Sequence, residues 1–454
     1  MRRTLTFDNA LLPCGWARDV HVRVQDGVIV EAASGGAGDI GEKVSGIALP
    51  GLPNLHCHAF QRALAGLAER RGPVDDTFWT WREAMYRFLT QLSPDDVEAI
   101  AAFAYMEMLE RGFTSVGEFH YLHHAADGGP YRDIGEMATR IAAAAEQSGI
   151  GLTLLPALYS HGNFGGAAPL PGQRRFLNDP DRFLQLVERT RAIAADLPDA
   201  VVGIAPHSLR AVTPQSLRAV VAATPDGPIH IHVAEQVKEV DDCIAWSNRR
   251  PVAWLMDEMA IDARWCLVHA THMEPAETQR LAASGAVAGL CPLTEASLGD
   301  GTFDGPQWVA AGGRFGIGTD SNIEIDAAGE LRQLEYAQRL AYRRRNVMTT
   351  REGESTGRRL FGDALGGGAQ ALARSIGALA AGQRADIVVL DAEHPDLAMA
   401  EGDRWLDAWI FVAGRAAVKT VIVGGERVVT DGRHRAREGI VARYKATLAR
   451  IMAE

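Results

Sequence analysis

Cysteine is scarce and scattered in this sequence: there are five in 454 residues. Cys14, Cys57, Cys243, Cys266 and Cys291 form an odd set, far apart, with no Cys-x-x-Cys pair. That excludes a disulfide framework or a zinc ribbon as the organising element and predicts a reducing, cytoplasmic setting. An excess of positive charge is also missing. Lys and Arg total 46 against 57 Asp and Glu, a net charge of −11, so no basic face is expected for nucleic acid or an anionic membrane. A small anionic ligand is still allowed, because a few local arginines would hold it. The third absence is a long apolar run. Residues 1–8 lead into none, which predicts neither a secretory signal nor a membrane span. No internal repeat and no low-complexity segment is present.

What remains is an ordinary globular composition, 47% hydrophobic and 23% charged. The length suits one large domain with a smaller satellite. The two ends are strand-like. Residues 21–24 alternate polar and apolar, Asp26-Gly27 reads as a hairpin turn, and residues 28–30 continue. The same flavour returns at 382–391 and 420–429, so the ends are expected to build one small β-sandwich together.

The middle alternates strands and helices. Ser93 caps a predicted helix with Pro94 at its first position, followed by Asp95 and Asp96; the helix runs to Gly112. Buried-strand candidates are residues 47–49, 114–117, 152–158, 201–205, 229–233, 266–269, 286–290 and 315–318. Short, non-alternating apolar strands between helices are what a parallel barrel requires, because its strands are buried on both faces. The predicted fold is therefore α/β: a (β/α)₈ TIM-type barrel over 49–370, with a sandwich from 1–48 and 371–454 and a terminal helix. Residues 162–172 and Gly366-Gly367-Gly368 read as loops.

Metal-capable residues fall at the carboxyl ends of these strands, where barrel enzymes carry their chemistry. In an extended His56-Cys57-His58 segment the two histidines point one way and Cys57 another. The fifth strand ends in His232, with Glu235 just beyond it. The sixth ends at His269 and the eighth runs into Asp320. Each has an ordinary structural explanation alone. His230, one step deeper than His232, reads as a hydrogen-bonded core residue, and His272 as a possible cap of the next helix. Four strand ends offering His-x-His, His-x-x-Glu, His and Asp in barrel order argue for one metal centre.

This arrangement resembles the amidohydrolase superfamily, on residues 49–58 and 377–386 as well as on the histidines. The resemblance spans essentially the whole chain and implies the same barrel with a sandwich from both termini. Binuclear members bridge two metals with a carboxylated lysine or an acid at the fourth strand end. Residues 201–210 contain neither lysine nor acid, which points to a single divalent ion on His56, His58, His232 and Asp320; these ligand types suit zinc and also admit iron or manganese. Such an ion lowers the pKa of its water from about 16 toward about 7. In the implied mechanism the resulting hydroxide attacks while Asp320 helps take the proton. His269 orients the nucleophile, and Glu235 carries a proton to the departing nitrogen.

Within the superfamily, residues 54–63, 78–83, 117–124 and 205–210 resemble a deiminase branch. That implies hydrolysis of N-formimino-L-glutamate to N-formyl-L-glutamate and ammonia in histidine degradation, by a homodimer. A dianionic substrate in an acidic protein needs local cations. Arg82 and Arg210 are the candidates, because a guanidinium fork matches a carboxylate; Gln61, Tyr121 and His207 are candidate partners. The Trp79 and Trp81 pair is expected only to pack a loop-like insertion around Arg82. The alternative is a deaminase of a nucleobase or related heterocycle on the same site. A catalytically silent relative would be expected to have lost a ligand, and every ligand is present here.

Overall fold

The computed structural model describes residues 2–35, 41–72 and 75–453. The chain opens with β1 (Arg2–Leu12), β2 (Gly15–Gln25), β3 (Val28–Ser34) and β4 (Glu42–Pro50). The strands β5 (Leu52–Cys57), β6 (Phe113–His120), β7 (Gly151–Leu158), β8 (Val201–Val202) and β9 (Ala205–Pro206) come next. Then come β10 (Ile229–Val233), β11 (Trp265–His269), β12 (Val287–Leu290) and β13 (Arg314–Ile317). The chain ends with β14 (Ile387–Leu390), β15 (Val418–Val423), β16 (Glu426–Thr430), β17 (Arg433–His434) and the helix Arg437–Ile451.

Both chain ends do meet in one sheet, in the order β17-β16-β15-β14-β4-β1-β2-β3. It is a single hydrogen-bonded path, with its own apolar core of residues such as Phe7, Val22 and Ile387. The strands from β5 to β13 pair in parallel in two groups, β5-β6-β7-β8 with β9 on β7, and β10-β11-β12-β13. Isolated parallel bridges, Cys57 to Asp320 and Ile204 to Ile229, run between the edges of the two groups. Helices separate most of these strands. The helix Pro94–Glu110 starts as expected, with Ser93 and Asp96 capping each other's backbone N–H and Pro94 at its first position. Among the described residues no helix is long and apolar enough to cross a membrane.

Three expectations are corrected. Residues 47–49 are not a strand of the parallel set: they belong to β4, where Leu49 pairs with Val388 and Ala48 with Val389. The Pro50-Gly51 step directly after them is the break between β4 and β5, and at Gly51 a Cβ would lie 2.2 Å from the Thr114 side chain. The fourth parallel element is interrupted, with β8 and β9 separated at Gly203 and Ile204. Gly366-Gly367-Gly368 is not a loop but lies within the helix Thr356–Ala371. The helix presses there onto the strands. A Cβ on Gly367 would sit 1.9 Å from the Phe315 carbonyl oxygen, and one on Gly368 would sit 2.9 Å from Pro53. Close backbone approach, not chain reversal, explains two of the three glycines.

That difference is testable. Gly366 is exposed with nothing within 4 Å of its Cβ position, so Gly366→Ala is expected to be neutral or stabilising by up to about 1 kcal/mol. Gly367→Ala is expected to destabilise by about 3 kcal/mol or more through overpacking. Denaturant unfolding of the two variants would show equal effects if these residues formed a loop.

Candidate active site

Parallel strands end on one side, so the residues just beyond them converge there. His56 lies at the end of β5, one residue before its last, and His58 stands just past it; His232 lies in β10, His269 ends β11, and Asp320 stands just beyond β13. Nε2 of His232 lies 3.1 Å from that of His56 and 3.3 Å from that of His58. Oδ1 of Asp320 is 3.3 Å from Nε2 of both His56 and His58. All four side chains are buried. Cys57 turns away, with Sγ 3.7 Å from Asn322 Oδ1. His230 is a core residue whose Nε2 bonds the Ala371 carbonyl at 2.8 Å. His272 does not cap a helix; its Nε2 bonds the Asp300 carbonyl at 2.8 Å.

The donor set fits a divalent ion. Nδ1 of His58 lies 2.8 Å from the Phe119 carbonyl oxygen and Nδ1 of His232 lies 2.9 Å from that of His207. A carbonyl only accepts, so both protons sit on Nδ1 and both Nε2 lone pairs face inward. Facing lone pairs at this range repel unless a cation lies between them. Tetrahedral zinc with bonds of about 2.0–2.1 Å to nitrogen needs ligand atoms about 3.3 Å apart, which matches the observed separations. Burial also pushes His56 down to about 3 despite its bond to Asp320, and it holds His58 low, so these imidazoles are neutral, as ligands must be. A second set, His269, Cys291 and Asp320, shares Asp320, and burial raises the Cys291 thiol well above its ordinary range.

Beside this group stand the proton-handling candidates. Nε2 of His269 is 3.8 Å from both Glu235 Oε1 and Asp320 Oδ2, and its Nδ1 bonds Glu295 Oε1 at 3.2 Å. Burial opposes charge on His269, but Glu235, Glu295 and Asp320 together outweigh it and raise this imidazole to about 10. Burial raises the Glu235 carboxyl, with the charges of His269 and Arg210 working against the rise. Several of these positions carry left-handed backbone: Ala234 at φ 51°, His269 at 68° and Asp320 at 43°. Non-glycine residues adopt such angles at a cost, typically where a functional side chain must be aimed.

The pocket over this group is lined by all five candidate binding residues, Gln61, Arg82, Tyr121, His207 and Arg210, together with Glu235, His269 and Asp320. Gln61 donates to the Tyr121 hydroxyl at 2.8 Å. The two arginines differ. Arg210 Nη2 lies 3.4 Å from Glu235 Oε2 and 3.8 Å from Glu239 Oε2. Among the described residues no carboxylate pairs with Arg82, and its Nε is buried without a hydrogen-bond partner.

The segment carrying Arg82 is not loop-like but the helix Phe78–Leu89, capped by Thr77. Nor do its tryptophans only pack. The Trp79 ring lies 4.5 Å from the Arg82 guanidinium carbon and 5.6 Å from that of Arg210, while Trp81 lines the pocket. Sequence reasoning also missed Glu239 and Glu295. Both come after a strand end and sit in the first turn of the next helix, and that position was the available signal.

Residues 47–428 match the family model described as the amidohydrolase family. The chain belongs to the amidohydrolase family. It is 52% identical over 447 residues to formimidoylglutamate deiminase of Pseudomonas aeruginosa, covering 98% of each protein. A crystal structure of an amidohydrolase from Brucella melitensis is 53% identical with a TM-score of 0.95, over 99% of this chain and 100% of that one. An adenosine deaminase from Xanthomonas campestris, solved with bound zinc, is 22% identical with a TM-score of 0.82, over 99% and 98%; it shares the amidohydrolase fold.

Proposed function

We propose that this chain is a deiminase that hydrolyses N-formimino-L-glutamate to N-formyl-L-glutamate and ammonia, in histidine degradation. The observation that carries the reading is the joining of a buried His/Asp metal group, Glu235 and two arginines in one pocket. The high identity to a formimidoylglutamate deiminase over nearly the whole chain supports the same substrate. His56, His58, His232 and Asp320 would hold one divalent ion, and zinc suits three imidazoles and a carboxylate. A bound ion of this kind supplies Lewis acidity that brings water's pKa toward neutrality.

The chain's own groups account for the rest. Asp320 accepts a proton from the attacking water. It returns that proton to Glu235 once Glu235 has passed two protons to the leaving nitrogen, its own and the one released from the added hydroxyl as the C=O forms. His269, oriented by Glu295 through Nδ1, directs Nε2 toward Glu235 and Asp320, where it steadies the oxygen and its developing charge. Glu235 delivers a proton to the formimino nitrogen, which leaves as ammonia, and burial keeps this carboxyl protonatable nearer neutral pH. Arg82, free of any carboxylate among the described residues, binds one substrate carboxylate against the Trp79 face. Arg210 takes the other, with Gln61, Tyr121 and His207 completing the wall.

In the same reading, the two groups of parallel strands are arcs of one closed (β/α)₈ barrel over residues 49–370. Residues 1–48 and 371–454 form most of the outer unit; β4, which reaches Pro50, moves the first boundary from 48 to Gly51. Five free cysteines suit a cytoplasmic enzyme, and the family resemblance suggests a homodimer.

The deciding experiment is ammonia release from N-formimino-L-glutamate by the purified chain, with metal measured on the same sample. Fast release with one metal per chain is expected. No release from a metal-loaded sample, with turnover of a nucleobase instead, would transfer the site to the heterocycle reading.

The arginines separate by kinetics. Arg82→Ala is expected to raise KM for N-formimino-L-glutamate by about 10- to 100-fold, the worth of a charged hydrogen-bonded contact of about 1.5–3 kcal/mol. Turnover of a neutral formamidine should stay unchanged. Arg210→Ala is expected to lower kcat as well, because Arg210 also touches Glu235. Matching KM effects on the neutral substrate would remove the carboxylate-binding role.

A further inference from the structure

The geometry points to Glu239 as a positioning residue that aims Glu235 into the site and couples it to Arg210; this rests on the reading of Glu235 and Arg210 given above. Glu239 is fully buried, at 0% exposure. Its Oε1 accepts the backbone N–H of Ala234 at 3.2 Å, and its Oε2 accepts that of Glu235 at 3.1 Å. Ala234 has φ 51°, a left-handed conformation that disfavours a residue with a Cβ. Two charge-assisted hydrogen bonds to consecutive amides offset that penalty and hold the turn leaving β10. The turn sends the Glu235 side chain toward His269, with Oε1 at 3.8 Å.

The same carboxylate has a second task. Arg210 Nη2 lies between Glu239 Oε2 at 3.8 Å and Glu235 Oε2 at 3.4 Å. Two buried glutamates beside one guanidinium would repel each other strongly if Arg210 moved off. Glu239 therefore fixes Arg210 against the Trp79 face, whose ring is 5.6 Å from the guanidinium carbon. The group that grips a substrate carboxylate and the group that moves the proton thus share one buried anchor. A small displacement of either lowers the rate, because reacting groups tolerate misplacement poorly.

The test compares Glu239→Gln and Glu239→Asp with the wild-type chain, each loaded with zinc and assayed for metal content. Gln keeps one acceptor oxygen and loses the charge; Asp keeps the charge and is one methylene short. Both are expected to retain one metal per chain while kcat on N-formimino-L-glutamate falls about 10- to 100-fold. KM should also rise, by less than in Arg210→Ala, because Arg210 is displaced rather than removed. A purely structural residue would instead reduce the metal-loaded, folded fraction and leave kcat per loaded chain intact. Wild-type kcat per loaded chain in either variant overturns the inference, and if Glu239→Gln does not fold, Glu239→Asp decides alone. A wild-type chain without activity on this substrate overturns the proposed function as well, which distinguishes the two failures.

Discussion

His232→Ala is expected to empty the metal group and to reduce ammonia release by on the order of 10⁴-fold or more, since activation of water from a pKa of about 16 to about 7 is lost with the ion. His232 is the residue to remove because its Nε2 stands within 3.1 Å and 3.3 Å of the Nε2 atoms of His56 and His58. Its proton is committed to the His207 carbonyl through Nδ1, so no other group in the set presents a lone pair from that side. Elemental analysis of the purified variant reads the first effect and steady-state ammonia release the second. Asp320→Ala should behave alike. Chelation of the wild-type chain should reproduce the loss, and zinc should reverse it. A His232→Ala protein that keeps a full metal equivalent would remove this histidine from the ligand set.

Glu235→Gln is expected to keep metal and lower kcat by about 10²- to 10⁴-fold, or roughly 3–5 kcal/mol of barrier. The substitution preserves shape but cannot carry a proton to the formimino nitrogen. KM should move little, because in the proposed reading the arginines rather than Glu235 bind the carboxylates. The geometry makes this a demanding prediction. Glu235 contacts Arg210 and His269 but none of the four proposed ligands at salt-bridge distance among the described residues, so a loss of metal in this variant would contradict its placement. Unchanged kcat would end its role in proton transfer.

Much of this site is readable from residue order because parallel strands impose their own geometry. A histidine pair spaced by one, as in His56-Cys57-His58, must share a face in extended chain. A strand of residues 229–233 that is buried on both faces must deliver Glu235, two residues past its last position, to the common end. His232, His269 and Asp320 come together in space although 37 or more residues separate neighbours in the chain, because their strands share a direction. The candidate binding residues also converge on one pocket.

The features that stayed hidden depend on packing between distant segments. The glycine triplet at 366–368 looks like a loop until Phe315 and Pro53 press against it from elsewhere in the chain. Residues 47–49 look like a strand of the parallel set, and only their pairing with β14 and β1 assigns them to the outer sheet. Trp79 looks like filler until two arginines arrive over its ring. Strand ends, ligand types and the missing acid at residues 201–210 were determined by the sequence itself, because local periodicity and side-chain chemistry need no partner. Tertiary structure alone decided that Arg82 has no carboxylate partner among the described residues while Arg210 shares Glu235 and Glu239. It also set His269 between three carboxylates. Charge pairing depends on distances across separate elements, and no spacing along the chain encodes them.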